Sequence, residues 1–241
     1  SGTLLGWPYV VVLDDEGVTR AFYNVCSHHG TCVATGEGTT GQFVCPYHGW
    51  TYDRQGKLTE APLAGALQSL KQRNLDLKPI PVSQWGPLVA LHFGNIATPL
   101  ETELATLLDA FTVDPFENLQ FVRRVTYHVD CNWKVFVDNY LDGGYHVPVL
   151  HKGLNCALQY KHYRVTTEDR YCLQDCPTSK KQDDISTVRT GDKAHYYWQY
   201  PNLMINLYEG VMDTNIAIPL SPTRCRIYFD YYFADDPKYT E

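Results

Sequence analysis

The chain has 241 residues, 44% of them apolar, and a formal net charge of -7. A chain of this length and apolar content can bury the cores of two domains. The negative charge argues against nucleic-acid binding, which needs clustered basic residues, and no window approaches the ~18 apolar residues of a membrane span.

The start of the chain and its cysteines indicate a compartment. The sequence enters a strand-like run almost at once, so we expect that a targeting peptide was removed or never included. Six of the eight cysteines show no disulfide-framework spacing; they are Cys32, Cys131, Cys156, Cys172, Cys176 and Cys225. We therefore expect a soluble protein in a reducing compartment, and Cys172 and Cys176 receive no role.

Two predicted strand ends carry metal-binding residue types. Cys26 and His28 follow the strand-like run 18–25, and Cys45 and His48 follow the run 41–44. Two thiolates can hold one iron of a two-iron, two-sulfur cluster, while two imidazoles hold the other iron and raise its potential. The pattern therefore predicts a Rieske-type cluster that moves single electrons.

Zinc is the alternative metal for a site made of two cysteines and two histidines. A zinc site usually pairs like residues in each short segment, whereas here each segment supplies one thiol and one imidazole. These segments resemble those of the Rieske oxygenase family, in which an arginine usually follows the first ligand histidine. This chain has His29 at that place, and the family register favours His28 as the ligand.

The next elements indicate where the first domain ends. Residues 82–93 read as a pair of strands, and residues 96–118 as a Pro-flanked connection with a short helix at 100–111. We therefore predict domains at 1–95 and 96–241, the second being incomplete at its carboxyl end. Residues 174–192 are polar and predict a mobile loop.

Residues 132–151 contain a second metal-binding pattern. His146 and His151 would point about 140° apart on an ideal helix, so both can face one metal only if the helix is broken. Gly143, Gly144 and Pro148 supply residues that break helices. By itself, a pair of histidines near a helix end is most often an ordinary surface or core feature.

The segment 132–151 resembles the mononuclear iron segment of Rieske oxygenase large subunits. The resemblance implies that His146 and His151 are two ligands of a 2-His-1-carboxylate Fe(II) site, which leaves coordination positions open. It also implies that Asp142 connects this site to a Rieske histidine of a neighbouring subunit, provided that the Gly143-Gly144 segment absorbs a shift of one residue. Asp138, on the same helix face, has no assigned role.

The third iron ligand is not identified in the sequence. The family implies an aspartate in a later helical segment, and we expect it beyond Glu241. Four downstream acids are not nominated, because none lies in a matching segment; they are Asp213, Asp230, Asp235 and Asp236.

Several segments resemble the plant-type choline monooxygenase subfamily: 43–52, 132–148, 200–206 and 212–220. The resemblance implies an α+β protein, with an all-β Rieske domain followed by an antiparallel sheet wrapped around helices. It implies a 2Fe-2S cluster, mononuclear Fe(II), dioxygen, a ferredoxin or ferredoxin-like reductase, and a homotrimer. The implied reaction converts choline to betaine aldehyde hydrate, in the chloroplast stroma for a plant-type enzyme and otherwise in the cytoplasm.

Aromatic residues are the expected partners of a trimethylammonium substrate, which has no proton to donate. Five were considered: Tyr145, Tyr196, Tyr197, Trp198 and Tyr208. The alternatives are an oxygenase acting on another quaternary amine, such as glycine betaine or carnitine, or on an aromatic compound. A Rieske electron carrier without oxygenase activity is the alternative from another class.

Overall fold

The computed structural model of the chain describes residues 1–62, 73–94, 115–179 and 191–234, together with positions 102 and 105. The chain divides into two compact units, Ser1–Glu103 and Leu104–Glu241. The predicted boundary between residues 95 and 96 lies outside the described residues and stays a prediction. The same holds for the helix predicted at 100–111, apart from positions 102 and 105, which are helical.

The first unit consists of small antiparallel sheets. The strands are β1 (Gly2–Leu4), β2 (Trp7–Leu13), β3 (Thr19–Tyr23), β4 (Phe43–Val44), β5 (Thr51–Tyr52), β6 (Leu58–Glu60), β7 (Val82–Trp85) and β8 (Leu88–Leu91). They pair in the orders β1-β2-β3, β4-β5-β6 and β7-β8. The core between them includes Phe22, Phe43, Trp50 and Leu58, and the side chains of Cys26 and Cys45 belong to it.

The second unit is one seven-stranded antiparallel sheet with helices. Its strands are β9 (Leu119–Val129), β10 (Arg164–Thr167), β11 (Tyr171–Pro177), β12 (Lys193–Gln199), β13 (Leu203–Tyr208), β14 (Val211–Ser221) and β15 (Arg224–Ala234). They pair in the order β10-β11-β12-β13-β14-β15-β9. The helices are α1 (Trp133–Leu141), α2 (Val147–Leu150) and α3 (Lys152–Ala157).

Helix α1 packs on one face of this sheet. Asn132 caps its first turn by accepting a hydrogen bond from the Lys134 backbone at 3.0 Å. Val137 on α1 joins a buried cluster with Met204, Ala217 and Ile227 from three strands. A helix of nine residues is not stable by itself in water, so burial of this apolar stripe supplies most of its stability.

The predicted fold class is confirmed, since small antiparallel β-sheets precede a large antiparallel sheet with helices. The mobile loop predicted at 174–192 is wrong for its first residues, because Gln174 and Cys176 are buried in β11. Residues 180–190 lie outside the described residues, so the prediction is not tested there. The polar Gln174 made this segment resemble a loop in the sequence. Its burial is possible because its side-chain amide nitrogen donates to the Tyr140 carbonyl at 2.8 Å and its amide oxygen accepts from the Tyr163 hydroxyl at 3.0 Å. Among the described residues, the structure contains no helix that could span a membrane.

Candidate active site

The first unit holds the four predicted cluster ligands in two loops with the same backbone design. The Cys26 amide donates to the Thr31 carbonyl, and the Cys26 carbonyl accepts from Gly30. Cys45 makes the equivalent bonds with Trp50 and Gly49. Gly30 and Gly49 have φ values of 78° and 70°, a left-handed conformation that glycine adopts without strain. Each loop is therefore closed within six residues of its cysteine.

The imidazoles gather at the exposed side of these loops. The donor atoms of His28, His29 and His48 lie within 4.8 Å of one another, and all three residues are exposed. The His28 and His48 ring centroids are 4.6 Å apart, and His28 stacks on Trp50 at 4.7 Å. Desolvation by the neighbouring residues, followed by the charges of His29 and His48, lowers the pKa of His28, which favours the neutral form that binds metal.

The thiols lie on the buried side, where Cys26 and Cys45 are 2% and 3% exposed. Within the described residues, the two thiols do not join the imidazole group whose donors lie within 4.8 Å. Donors around one tetrahedral zinc ion would lie about 4 Å apart or closer. Buried thiols and exposed imidazoles therefore fit a two-iron cluster, with one pair on each iron, better than a single zinc ion.

Tyr52 contacts a predicted cluster ligand, and the sequence analysis did not identify this contact. Its hydroxyl, on a fully buried side chain, lies 3.3 Å from the Cys26 sulfur and accepts from the Ser27 backbone amide at 3.1 Å. Burial raises the pKa of Tyr52, so the phenol keeps its proton. A metal-bound thiolate has no proton, so the Tyr52 hydroxyl would be the donor to sulfur.

The predicted iron segment in the second unit is a helix interrupted by a glycine turn. Helix α1 ends at Leu141, and Gly143 and Gly144 have φ values of 71° and 66°. The short helix α2 follows, with His146 immediately before it and His151 immediately after it. Pro148 is the second residue of α2, a position that tolerates proline, so the glycines make the break.

The break brings His146, His151 and Asp142 together. The two imidazole centroids are 5.0 Å apart, and Asp142 Oδ2 lies 2.5 Å from His146 Nδ1. Because Asp142 engages Nδ1, the Nε2 atom is the one that remains for a metal. Neither side chain is fully buried, with exposures of 20% for His146 and 32% for Asp142. The arrangement suits His146 and His151 as two iron ligands and Asp142 as the carboxylate that orients His146.

Both histidines open onto a cavity of about 280 Å³ between the helices and the sheet. Its polar wall contains Asn206, Asp213 and Asn215, which the sequence analysis did not assign to the site. Their alternation with Tyr208, Val211 and Ala217 indicates which strand face they share, but not that this face lines a cavity. Of the five aromatic residues considered, Tyr196 and Tyr208 line the cavity, whereas Tyr145 is 81% exposed.

Among the described residues, no carboxylate forms a group of donors within 4.8 Å together with His146 and His151. Within them, the group of His28, His29 and His48 is the one set of three or more donors that meets the 4.8 Å distance. Asp213 lines the same cavity as His146 and His151 but does not form such a set with them. The expectation that a carboxylate beyond Glu241 completes the site stays a prediction.

Both units match known protein families. The family described as "Rieske [2Fe-2S] domain" matches residues 1–71, and "Ring hydroxylating alpha subunit (catalytic domain)" matches residues 116–241. The chain is similar to the chloroplastic choline monooxygenase of Arabidopsis thaliana, with 40% identity over 96% of the chain and 58% of that protein. It is also similar to the carnitine monooxygenase oxygenase subunit of Acinetobacter pittii, with 28% identity over 97% of the chain and 64% of that protein.

Among solved structures, the chain resembles a quaternary ammonium Rieske monooxygenase in complex with an inhibitor. The TM-score is 0.80, with 28% identity over 96% of this chain and 64% of that one. The chain therefore spans about three fifths of the length of the relatives it matches.

Proposed function

The chain belongs to the family of ring-hydroxylating oxygenase alpha subunits that carry a Rieske [2Fe-2S] domain, and on this premise we propose that it hydroxylates choline. One choline, one dioxygen, two electrons and two protons give betaine aldehyde hydrate and one water. The observation that carries this proposal is that His146 and His151 open together onto an aromatic-walled cavity. Its volume, about 280 Å³, is near the lower end for ligand sites and suits a small substrate.

We assign roles to the chain's own residues as follows. Cys26, Cys45, His28 and His48 would hold the cluster, and His146 and His151 would hold the mononuclear iron. When bound, these two groups supply the electron transfer and the oxidising chemistry. Asp142 fixes the tautomer and the orientation of His146 through the 2.5 Å contact.

We further propose that electrons arrive from a ferredoxin or a ferredoxin-like reductase and pass between subunits of a homotrimer. In a head-to-tail ring, the cluster surface of one copy would face the iron segment of the next. Exposed apolar side chains beside both sites support such contacts: Tyr47 is 63% exposed, and Tyr145, Val149 and Leu150 are 81%, 73% and 72% exposed. Asp142 would then connect His146 with a cluster histidine of the neighbouring copy.

The proposed compartment is a reducing one, the chloroplast stroma if the protein comes from a plant. The eight cysteines are all free. The choline monooxygenase of Arabidopsis thaliana is chloroplastic. Fractionation of the source cells with an antibody to the protein would test this proposal, and recovery from an oxidising compartment would contradict it.

The decisive experiment measures metal content and substrate-dependent oxygen uptake of the holoenzyme with a ferredoxin and its reductase. Choline should stimulate oxygen uptake and yield betaine aldehyde, with iron and no zinc in the protein. Uptake with glycine betaine or carnitine alone would favour another quaternary amine, and uptake with an aromatic compound alone would favour the aromatic alternative. Cluster absorbance without mononuclear iron or turnover would favour an electron carrier.

A further inference from the structure

One buried amide joins two elements of the second unit beside the iron segment. Gln174 on β11 is 1% exposed and lines the cavity together with His146 and His151. Its side-chain nitrogen donates to the Tyr140 carbonyl at 2.8 Å, and its side-chain oxygen accepts from the Tyr163 hydroxyl at 3.0 Å. Because a carbonyl can only accept, the two partners fix which end of the amide faces each of them. Gln174 therefore has one defined orientation.

The contact with Tyr140 holds the end of helix α1. Tyr140 lies in the last turn of α1, where carbonyls have no partner within the helix, and the Gln174 nitrogen satisfies one of them. The Tyr140 hydroxyl also donates to Asn206 Oδ1 on β13 at 2.9 Å. Asp142 follows Tyr140 by two residues, so this anchor places the carboxylate that contacts the first iron histidine.

The contact with Tyr163 supports the glycine turn. The Tyr163 ring packs closely against Gly144, where an added Cβ atom would lie 3.1 Å from two ring carbons. Gly144 has a φ of 66° and precedes His146 by two residues. Burial raises the pKa of Tyr163, so the phenol keeps its proton and remains a donor to Gln174 at neutral pH. The ring beside the turn is therefore held from β11.

We propose that Gln174 is a positioning residue for the iron site, because it holds the end of α1 and the ring beside Gly144 in one geometry. Asp142 lies between these two points, and His146 follows them directly. A side chain that fixes both ends of so short a segment limits where the His146 imidazole can lie relative to His151. The inference rests on the proposed function only in assuming that these two histidines bind iron, and it adds a residue of the sheet that sets their geometry.

The test replaces Gln174 with methionine, which keeps the length of the side chain but removes both hydrogen bonds. In the holoenzyme, competition with a ferrous chelator measures the affinity for the mononuclear iron. We expect Gln174→Met to bind this iron about tenfold more weakly, the lower end of the loss that follows removal of an outer partner of a metal ligand. The electron paramagnetic resonance spectrum of the iron after addition of nitric oxide should show altered g values, because its ligands are held less firmly.

Gln199→Met is the matched control. Gln199 is also a buried glutamine of the sheet, on the neighbouring strand β12, and it is not among the residues that line the cavity. Thermal unfolding is measured for both variants, since either substitution can lower stability. Gln199→Met should keep the iron affinity and the g values of the unmodified protein, whatever its melting temperature.

Tyr163→Phe tests the same anchor if Gln174→Met does not fold. It removes only the hydroxyl that donates to the Gln174 oxygen and keeps the ring beside Gly144. It should weaken binding of the mononuclear iron by a smaller factor than Gln174→Met.

Three results would overturn the inference. They are unchanged iron affinity and g values in a folded Gln174→Met, losses in Gln199→Met as large as those in Gln174→Met, and, where Gln174→Met does not fold, unchanged iron affinity in Tyr163→Phe. Failure of the proposed function looks different. If the unmodified holoenzyme holds no iron that His146→Ala removes, the proposed function is wrong. If it holds that iron and turns over choline while Gln174→Met behaves in the same way, only the role of Gln174 is wrong.

Discussion

The two candidate metal sites are built in opposite ways. In the first unit, each ligand loop is closed by backbone hydrogen bonds within six residues, and the thiols are part of the core. In the second unit, the two histidines lie on one broken helix, and their cavity needs walls from residues between 136 and 229. The cluster site is therefore local in the chain, whereas the cavity of the iron site depends on residues far apart in the sequence.

Removing a cluster thiol should have the largest effect. We expect Cys45→Ser to abolish the visible absorbance and the electron paramagnetic resonance signal of the cluster, because the alcohol does not replace a thiolate on iron. Iron at His146 and His151 should remain, since those residues belong to the other unit. Spectroscopy and iron and sulfide analysis measure both.

Cys32→Ser is the matched control for this variant, because Cys32 is an exposed cysteine in the same region of the chain. It should keep the full cluster spectrum. A spectrum retained by Cys45→Ser, or zinc found in place of iron, would break the assignment of the first site.

The reciprocal change removes an iron ligand. His146→Ala should lose the mononuclear iron and all choline-dependent oxygen uptake while the cluster spectrum stays unchanged. His162→Ala, at an exposed histidine of the same unit, should retain both metals and activity. If His146→Ala also lost the cluster, the two sites would not be independent of each other.

Replacing Asp142 should have an intermediate effect. Asp142→Asn keeps the shape but removes the charge that orients His146 at 2.5 Å. We expect about a 10- to 100-fold loss in iron affinity or in turnover. Single-turnover oxidation of a prereduced cluster distinguishes the roles: slow oxidation with full iron occupancy indicates electron transfer, and lost iron alone indicates ligand orientation.

Asp138→Asn is the control for Asp142, because Asp138 lies one helical turn earlier and is exposed. It should change neither iron occupancy nor rate. An effect as large as that of Asp142→Asn would mean that charge along helix α1, and not the contact with His146, is responsible.

The smallest expected effect concerns Tyr52. Tyr52→Phe removes the hydroxyl 3.3 Å from the Cys26 sulfur. A donor to sulfur favours the more electron-rich reduced cluster, so its loss should lower the reduction potential by about 40 mV, the equivalent of one hydrogen bond of ~1 kcal/mol. Potentiometric titration measures this shift, and Tyr47→Phe, at an exposed tyrosine, should leave the potential unchanged. If the reduction potential of Tyr52→Phe is unchanged, the contact with the Cys26 sulfur has a structural role only.

The sequence by itself determined the features that depend on residues close together in the chain. The spacing of Cys26, His28, Cys45 and His48 indicated a cluster because each loop closes on itself, and Gly143 and Gly144 indicated the helix break that brings His146 and His151 together. The choice of ligands stays a prediction. The structure brings the rings of His28 and His48 to 4.6 Å and those of His146 and His151 to 5.0 Å.

Only the tertiary structure determined which residues contact the predicted ligands and which residues line the cavity. Tyr52 meets Cys26 across 26 positions of the chain, and Tyr140 meets Asn206 across 66. Asp213 looked like an unassigned acid in the sequence, because its place depends on the pairing of β13 with β14, which sets Asn206 opposite Asp213. Strand register and the packing of α1 on the sheet are long-range properties, and no local pattern of residue types encodes them.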